Sequence, residues 1–281
     1  MREIPRSARK IPAVPDVTRK NTPEIAETHG HAFCSRAGML TQYLVSDPQT
    51  SRRFGRALRL DLIGGQSTVC SYSCAYCRSK SREDRPDDGW PDPAALIGAL
   101  RSVLERDAAL DHIVIAGNGE PTQHPAFGPI VDDVLLARDQ LALATRVAIL
   151  SNGSQLHRFE VRHALARADV RLMKLDAGDA TTFREISGAA LSLGRLIGQL
   201  RQLGDVTLLS RFVRNAAQSI DNTSRSAVDA WLQTVATVRP LAVQVCGRDW
   251  ASQRALVDVP RSELEEIADR VKSLGIPAVV F

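Results

Sequence analysis

The chain has 281 residues, 36 basic against 32 acidic, a net charge of +4 and a hydrophobic content of 44%. That composition fills a sizeable core and excludes a disordered chain, and so small an excess of positive charge does not mark a nucleic-acid binder. No apolar run approaches the length that crosses a bilayer, and the opening "MREIPRSARKIPAVPDVTRKN" lacks the apolar segment of a signal peptide; the expectation is a cytoplasmic protein with no membrane partner.

Residues 1–50 carry scattered Pro, Arg and Thr with poor periodicity and read as an irregular N-terminal extension, followed by a regular core over 51–281. The core opens with a short apolar run at 57–65, closed by glycine, and others follow at 112–117, 145–153, 170–178, 205–213 and 241–247. Each predicts a buried strand. Amphipathic stretches follow them at 92–107, 125–140, 158–168, 192–204, 224–238 and 261–275, several with a helix-starting Asp-Pro or Ser or a terminal Gly. Alternation of this kind predicts an α/β protein with a parallel sheet. Six repeats suit an incomplete TIM-type barrel or an open doubly wound sheet equally well. In both, chemistry gathers at the carboxyl ends of the strands.

After the first predicted strand comes "VCSYSCAYC", which places Cys70, Cys74 and Cys77, three of the five cysteines, in a C-x3-C-x2-C loop. An odd cysteine count with one tight cluster fits a reducing compartment better than a disulfide framework. Iron–sulfur clusters take thiolate ligands, normally four, and structural zinc wants a closed tetrahedral set. Here the next cysteine, Cys34, lies far upstream in the irregular segment. Three protein ligands leave one metal position open to a small molecule.

The other predicted strand ends carry the remaining chemistry. "GNGEPTQHP" offers Gly117, Gly119 and Glu120, two glycines that let backbone approach closely and one acidic acceptor. "LSNGS" offers Ser151 and Asn152, and "MKLDAGD" offers Lys174 and Asp176. "SRFVR" offers Arg211 and Arg214, and "QVCGRDW" offers Gln244, Cys246 and Arg248. Arginine forks hold carboxylates or phosphates, whereas a free cysteine is usually a small buried apolar residue. At a strand's carboxyl end Cys246 also has a place from which to give a hydrogen atom to a substrate radical. His112 begins its strand and reads as structural, and His124 reads as shaping its loop.

The cysteine loop, with Tyr76 before its last thiol, resembles the signature of the radical S-adenosylmethionine (SAM) enzymes. The resemblance implies a partial (βα)6 TIM-type barrel in which Cys70, Cys74 and Cys77 bind a [4Fe-4S] cluster. S-adenosyl-L-methionine would complete the unique iron, with the backbone beside Tyr76 facing the adenine. It further implies that Gly117, Gly119 and Glu120 receive the SAM ammonium, and that Asn152, Asp176 and Arg211 contact its ribose and carboxylate. Reductive cleavage of SAM would then yield a 5′-deoxyadenosyl radical for hydrogen abstraction, with an electron donor such as flavodoxin or ferredoxin as partner.

Stretches from Ser51 onward, among them "SRRFGRALRLDLIGG", "GNGEPTQHPAF", "AILSNGSQL" and "KLDAGDATTFREI", are similar to the radical SAM group related to wyosine synthase. That enzyme holds a second cluster on further N-terminal cysteines, for which this chain has only Cys34. The tRNA chemistry is therefore not carried over. Arg52, Arg53, Arg56 and Arg59 could meet a phosphate backbone or line a barrel entrance, the favoured reading. The substrate stays open, nucleic acid or peptide included. Two rivals remain: an activating enzyme that installs a radical on a protein partner, and a non-catalytic zinc protein using the same thiols.

Overall fold

The computed structural model describes residues 44–64, 68–77, 89–215, 220–247 and 256–281, all within one compact unit, Ser35–Phe281. Cys34 and Arg248 lie outside the described residues. No helix among those described is long and apolar enough to cross a membrane.

A single curled sheet of eight strands organises the unit. In chain order its strands are β1 (Gln49–Ser51), β2 (Gly55–Leu60), β3 (His112–Ile115), β4 (Arg146–Ser151), β5 (Val170–Lys174), β6 (Thr207–Arg211), β8 (Ala242–Cys246) and β10 (Ala278–Val280). Two short strands, β7 (Arg214–Asn215) and β9 (Leu256–Val257), pair separately. The spatial order β1-β2-β3-β4-β5-β6-β8-β10 follows the chain, and every pair from β2 to β10 is parallel. Such sequential parallel order is that of an open, partial TIM-type barrel; a doubly wound sheet would reverse direction from its middle. The helices are α1 (Pro93–Arg106), α2 (Phe127–Leu141), α3 (Phe159–Arg167), α4 (Ala180–Ser187), α5 (Leu193–Leu203), α6 (Arg225–Val238) and α7 (Arg261–Lys272).

All six predicted strands and six predicted helices are present, within a few residues of their expected limits. Strand β10 pairs with β8 as a further parallel strand, while β1 forms an antiparallel hairpin with β2. Leu44 and Val45 are buried just upstream of it. The helix starts are written in the chain: Asp92 accepts from the Ala95 amide, and Asp179, Ser192 and Ser224 cap α4, α5 and α6 in the same way.

Strand side chains alternate between two surfaces. Leu58, Leu60, Ile113, Ile115, Val147, Ile149, Met173, Leu208, Val243 and Val245 join the helices in the main core. On the opposite, concave surface Val114, Ala148, Leu172, Leu209 and Cys246 form a smaller apolar cluster, against which Phe54 and the terminal Phe281 pack. This alternation points the last inward residue of each strand at the carboxyl rim.

Trp231 of α6 fastens a helix to that rim. It is fully buried, lies edge-on to Phe212, and donates to the carbonyl of Leu175 at 3.0 Å and to Ser210 Oγ at 3.2 Å. Trp231→Ala is expected to cost about 3–5 kcal/mol, read as a lowered denaturant midpoint; a loss under about 1 kcal/mol would show that the rim is held elsewhere.

Candidate functional site

The cysteine loop follows the carboxyl end of β2 and has little regular structure, so its shape comes from what grips its backbone. One grip is the loop after β3. Val69 N donates to the carbonyl of Asn118 at 3.2 Å, and Glu120 N donates to the carbonyl of Val69 at 2.9 Å, a two-bond parallel bridge immediately before Cys70. Gly119 makes that approach possible: its φ is +151°, and a Cβ there would stand 1.8 Å from the Val69 oxygen. A Cβ on Gly117 would meet the carboxylate of Asp61 at 2.1 Å. Both glycines thus serve contacts within the protein. The second grip is the end of α4, where Ser73 N donates to the carbonyl of Ser187 at 2.8 Å and Ala75 N to that of Ile186 at 2.7 Å.

Asp61 is a residue that sequence reasoning passed over. Fully buried past β2, it accepts from the amides of Ile63 at 3.0 Å and Asn118 at 3.0 Å, tying the start of the cysteine loop to the glycine loop. Glu120 continues the link toward β4. Its carboxylate accepts from Ser151 Oγ at 2.7 Å, from Asn152 N at 2.6 Å and from both the amide and hydroxyl of Thr122. Burial pushes its carboxyl above the ordinary glutamate range, against these hydrogen bonds, which pull it down. The Asn152 amide then reaches back to the cysteine loop, donating to Ser71 Oγ at 3.1 Å and to Cys70 Sγ at 3.6 Å.

The other side of the loop rests on Asp176, after β5. The Tyr76 hydroxyl donates to Asp176 Oδ2, Lys174 Nζ lies 3.3 Å from the same oxygen, and Arg211 N donates to Oδ1 at 2.8 Å. Both cations also sit over the Tyr76 ring, Lys174 Nζ at 4.7 Å and the Arg211 guanidinium at 5.3 Å from its centre. Arg211 is anchored by the Gly247 carbonyl at 2.5 Å. Asn222, another residue without a sequence signal, donates to the carbonyls of Asp176 and Arg211, each at 2.7 Å.

Cys70, Cys74, Cys77, Tyr76, Glu120, Asn152, Asp176 and Arg211 are therefore gathered by one connected network of backbone and side-chain bonds. Others fall elsewhere. Arg214 pairs with Glu263 at 2.7 Å. His112 bonds the Phe54 carbonyl at the amino end of β3, and His124 accepts from Ala126 N within its own loop. Cys246 is fully buried in the concave apolar cluster, with Arg53 Nη2 3.0 Å from its sulfur.

Whether these residues fit an iron–sulfur cluster can be judged from the thiols and from Tyr72. Burial pushes the Cys70 and Cys74 thiols up to about 12, so both are protonated at neutral pH until a metal takes the proton's place. Among the described residues no group of three such ligands converges as if on a single ion; in a cubic cluster each thiolate binds a different iron. Within the loop the Tyr72 hydroxyl is sealed from solvent and has no hydrogen-bond partner among the described residues, on a residue that is 5% exposed. A buried hydroxyl without an acceptor is costly, and cluster sulfides or a bound ligand would supply one. The donor set and the orphaned hydroxyl fit the group.

The open barrel is similar in fold to several solved structures. A radical SAM methyltransferase from Sphaerobacter thermophilus superposes over 80% of this chain and 65% of its own with a TM-score of 0.62 at 14% identity. Streptococcus suis SuiB bound to precursor peptide SuiA gives 0.60 at 16% identity over 79% of this chain and 48% of its own. TYW1 with a lysine-pyruvate adduct bound gives 0.59 at 12% identity over 84% and 81%. In sequence the chain is 27% identical over 205 residues to a Brachyspira hyodysenteriae protein named GTPase Obg, covering 72% of this chain and 29% of that one. A UPF0026 protein of Helicobacter pylori is 30% identical over 145 residues, 51% of this chain and 46% of its own. The chain spans less than half the length of these two curated relatives. It has no G-x-x-x-x-G-K-[ST] phosphate loop. No family model matches.

Two outcomes follow from the site. Gly119→Ala drives a Cβ into the Val69 carbonyl and is expected to lower stability by about 2–4 kcal/mol in denaturant melts; an unchanged midpoint would mean the bridge can open freely. In the apoprotein, iodoacetamide should alkylate Cys70 and Cys74 roughly tenfold more slowly at pH 8 than an ordinary thiol, with rates still climbing at pH 10. Rates that level off by pH 9 would contradict the burial of these thiols.

Proposed function

We propose that the protein is a radical SAM enzyme, with Cys70, Cys74 and Cys77 holding a [4Fe-4S] cluster and S-adenosylmethionine completing it. The observation that carries this reading is the backbone clamp on the cysteine loop. It presents three thiols at the barrel rim on one strand-end network with Glu120, Asn152 and Asp176. When bound, the cluster and SAM supply one-electron reductive cleavage to methionine and a 5′-deoxyadenosyl radical, which removes hydrogen from a substrate.

The chain's own residues bind and orient. In this reading the backbone beside Tyr76 borders the adenine, and the ring is held in place by Asp176 through the hydroxyl and by Lys174 and Arg211 across its face. Glu120 has four internal donors that fix its orientation, leaving Oε2, with Asn152 N, as the oxygen better able to take an ammonium. Gly117 and Gly119 bring the loop backbone close to the cysteines. Asn152 steers Cys70 by an N–H to its sulfur, and Asp176 and Arg211 are positioned for the SAM ribose and carboxylate. The apolar concave wall of Val114, Ala148, Leu172 and Leu209 keeps water from the barrel interior, where a radical would otherwise react indiscriminately.

A low-potential one-electron donor such as flavodoxin or ferredoxin is the implied partner. Cys246 lies behind the rim in a dry setting, so its proposed role as a hydrogen-atom donor requires substrate to reach the interior.

Anaerobic reconstitution with iron and sulfide should give a brown protein that releases 5′-deoxyadenosine from SAM with dithionite. Cys74→Ala should lose both the colour and the product, cutting release by at least roughly a hundredfold, equivalent to about 2.7 kcal/mol. A colourless zinc protein, or a Cys74→Ala variant that still cleaves SAM, would refute the assignment.

A further inference from the structure

Arg53 belongs to the turn between β1 and β2, yet its side chain crosses to β8. Nη2 lies 3.0 Å from Cys246 Sγ, and the guanidinium sits 4.8 Å from the centre of the Phe281 ring. Its Nε is sealed from solvent and has no hydrogen-bond partner among the described residues. Among the described residues no carboxylate pairs with it. The guanidinium is half-buried against a thiol and a ring, and an anionic ligand would give its sealed Nε the acceptor that the described residues do not supply.

A second unmet group lies beside it. Gln244 precedes Cys246 by two residues on β8 and so points to the same concave surface, and its Oε1 atom is buried without a partner among the described residues. Cys246 stands in register with Arg211 of β6, whose guanidinium lies over Tyr76 of the cysteine loop. The two unmet groups thus flank Cys246 on the concave wall, one strand from the rim network. Val114, Ala148, Leu172 and Leu209 make up the apolar part of this surface, and Arg59, in register with Val114, shares its inward-facing positions.

We propose that Arg53 and Gln244 form a substrate subsite inside the barrel that takes a carboxylate carrying a neighbouring hydroxyl or amine, with Cys246 at its wall. The carboxylate takes the Arg53 fork, including Nε, and the neighbouring O–H or N–H donates to Gln244 Oε1. The two-point fork of Arg53 suits a planar carboxylate, and the Gln244 Oε1 acceptor calls for an O–H or N–H beside it, which a phosphate dianion is poorly equipped to give. The proposal rests on the radical SAM reading for the statement that the ligand is substrate, but the binding chemistry can be tested alone.

Iodoacetate and iodoacetamide deliver the same alkyl group to a thiol, forming a thioether with loss of iodide and a proton, and only the former carries a carboxylate. On the reconstituted protein, without SAM or reductant, Cys246 alkylation is followed by peptide mass spectrometry. The expected result is saturable labelling by iodoacetate, on the order of tenfold faster than by iodoacetamide, with glycolate protecting and inorganic phosphate not. Arg53→Met should reverse the preference, and Arg53→Lys, which keeps the charge, should retain part of it. Equal or faster labelling by iodoacetamide, no labelling of Cys246 by either reagent in the native protein, or better protection by phosphate would overturn the subsite. A protein that fails here yet releases 5′-deoxyadenosine loses the subsite alone; one that labels as expected but never cleaves SAM loses the enzymatic reading and keeps the carboxylate site.

Discussion

Three thiols in an irregular loop cannot organise themselves, so the site depends on the hydrogen-bonded grip around that loop. On one flank Val69 is bridged to the glycine loop after β3; on the other, Ser73 and Ala75 are tied to the end of α4. These are backbone bonds, and they hold the loop without using its thiols. Without them the loop would have to be ordered by the ligand itself, and the entropy of ordering would be subtracted from affinity.

The same economy governs the charges around the rim. Asp61, Glu120 and Asp176 are all buried; Asp61 and Glu120 each accept backbone amides from two different segments, and Asp176 accepts the Arg211 amide and the Tyr76 hydroxyl. Glu120 alone joins the β3 loop to the end of β4. Carboxylates used in this way act as cross-braces between strand ends, which have no ladder partners of their own beyond the sheet. Asp176 adds a polar role by fixing the Tyr76 ring between a phenolic hydrogen bond and two cations. Beneath the rim much of the wall is apolar, and Arg53 lies against it at Cys246.

Much of the fold was legible because six buried strands and six amphipathic helices each leave a strong periodic trace. The missed elements are short and lack that trace. Strand β1 is three exposed or half-exposed polar residues, and β10 is three residues whose pairing with β8 depends on the rest of the sheet. Helix α4 buries only Phe183, Ile186 and Ser187 in eight residues, too few for a visible stripe. The cysteine spacing and the Gly-x-Gly-Glu loop stood out because unusual residues were concentrated there. Asp61 and Asn222 carried no such mark: a lone Asp after a strand and a lone Asn before a helix look like ordinary turn residues.

By itself the sequence settled the residue types at the strand ends, the alternation of strand and helix, and the crowding of three thiols after the first strand, since these are properties of local order along the chain. The choice between an open barrel and a doubly wound sheet lay beyond it, because both have the same periodicity and differ only in which strand pairs with which. Tertiary structure also decided that Gly119 makes room for the Val69 carbonyl, and that Arg53 reaches Cys246 across 193 positions of sequence. Contacts of that range arise from sheet register and curvature, and no local pattern encodes them.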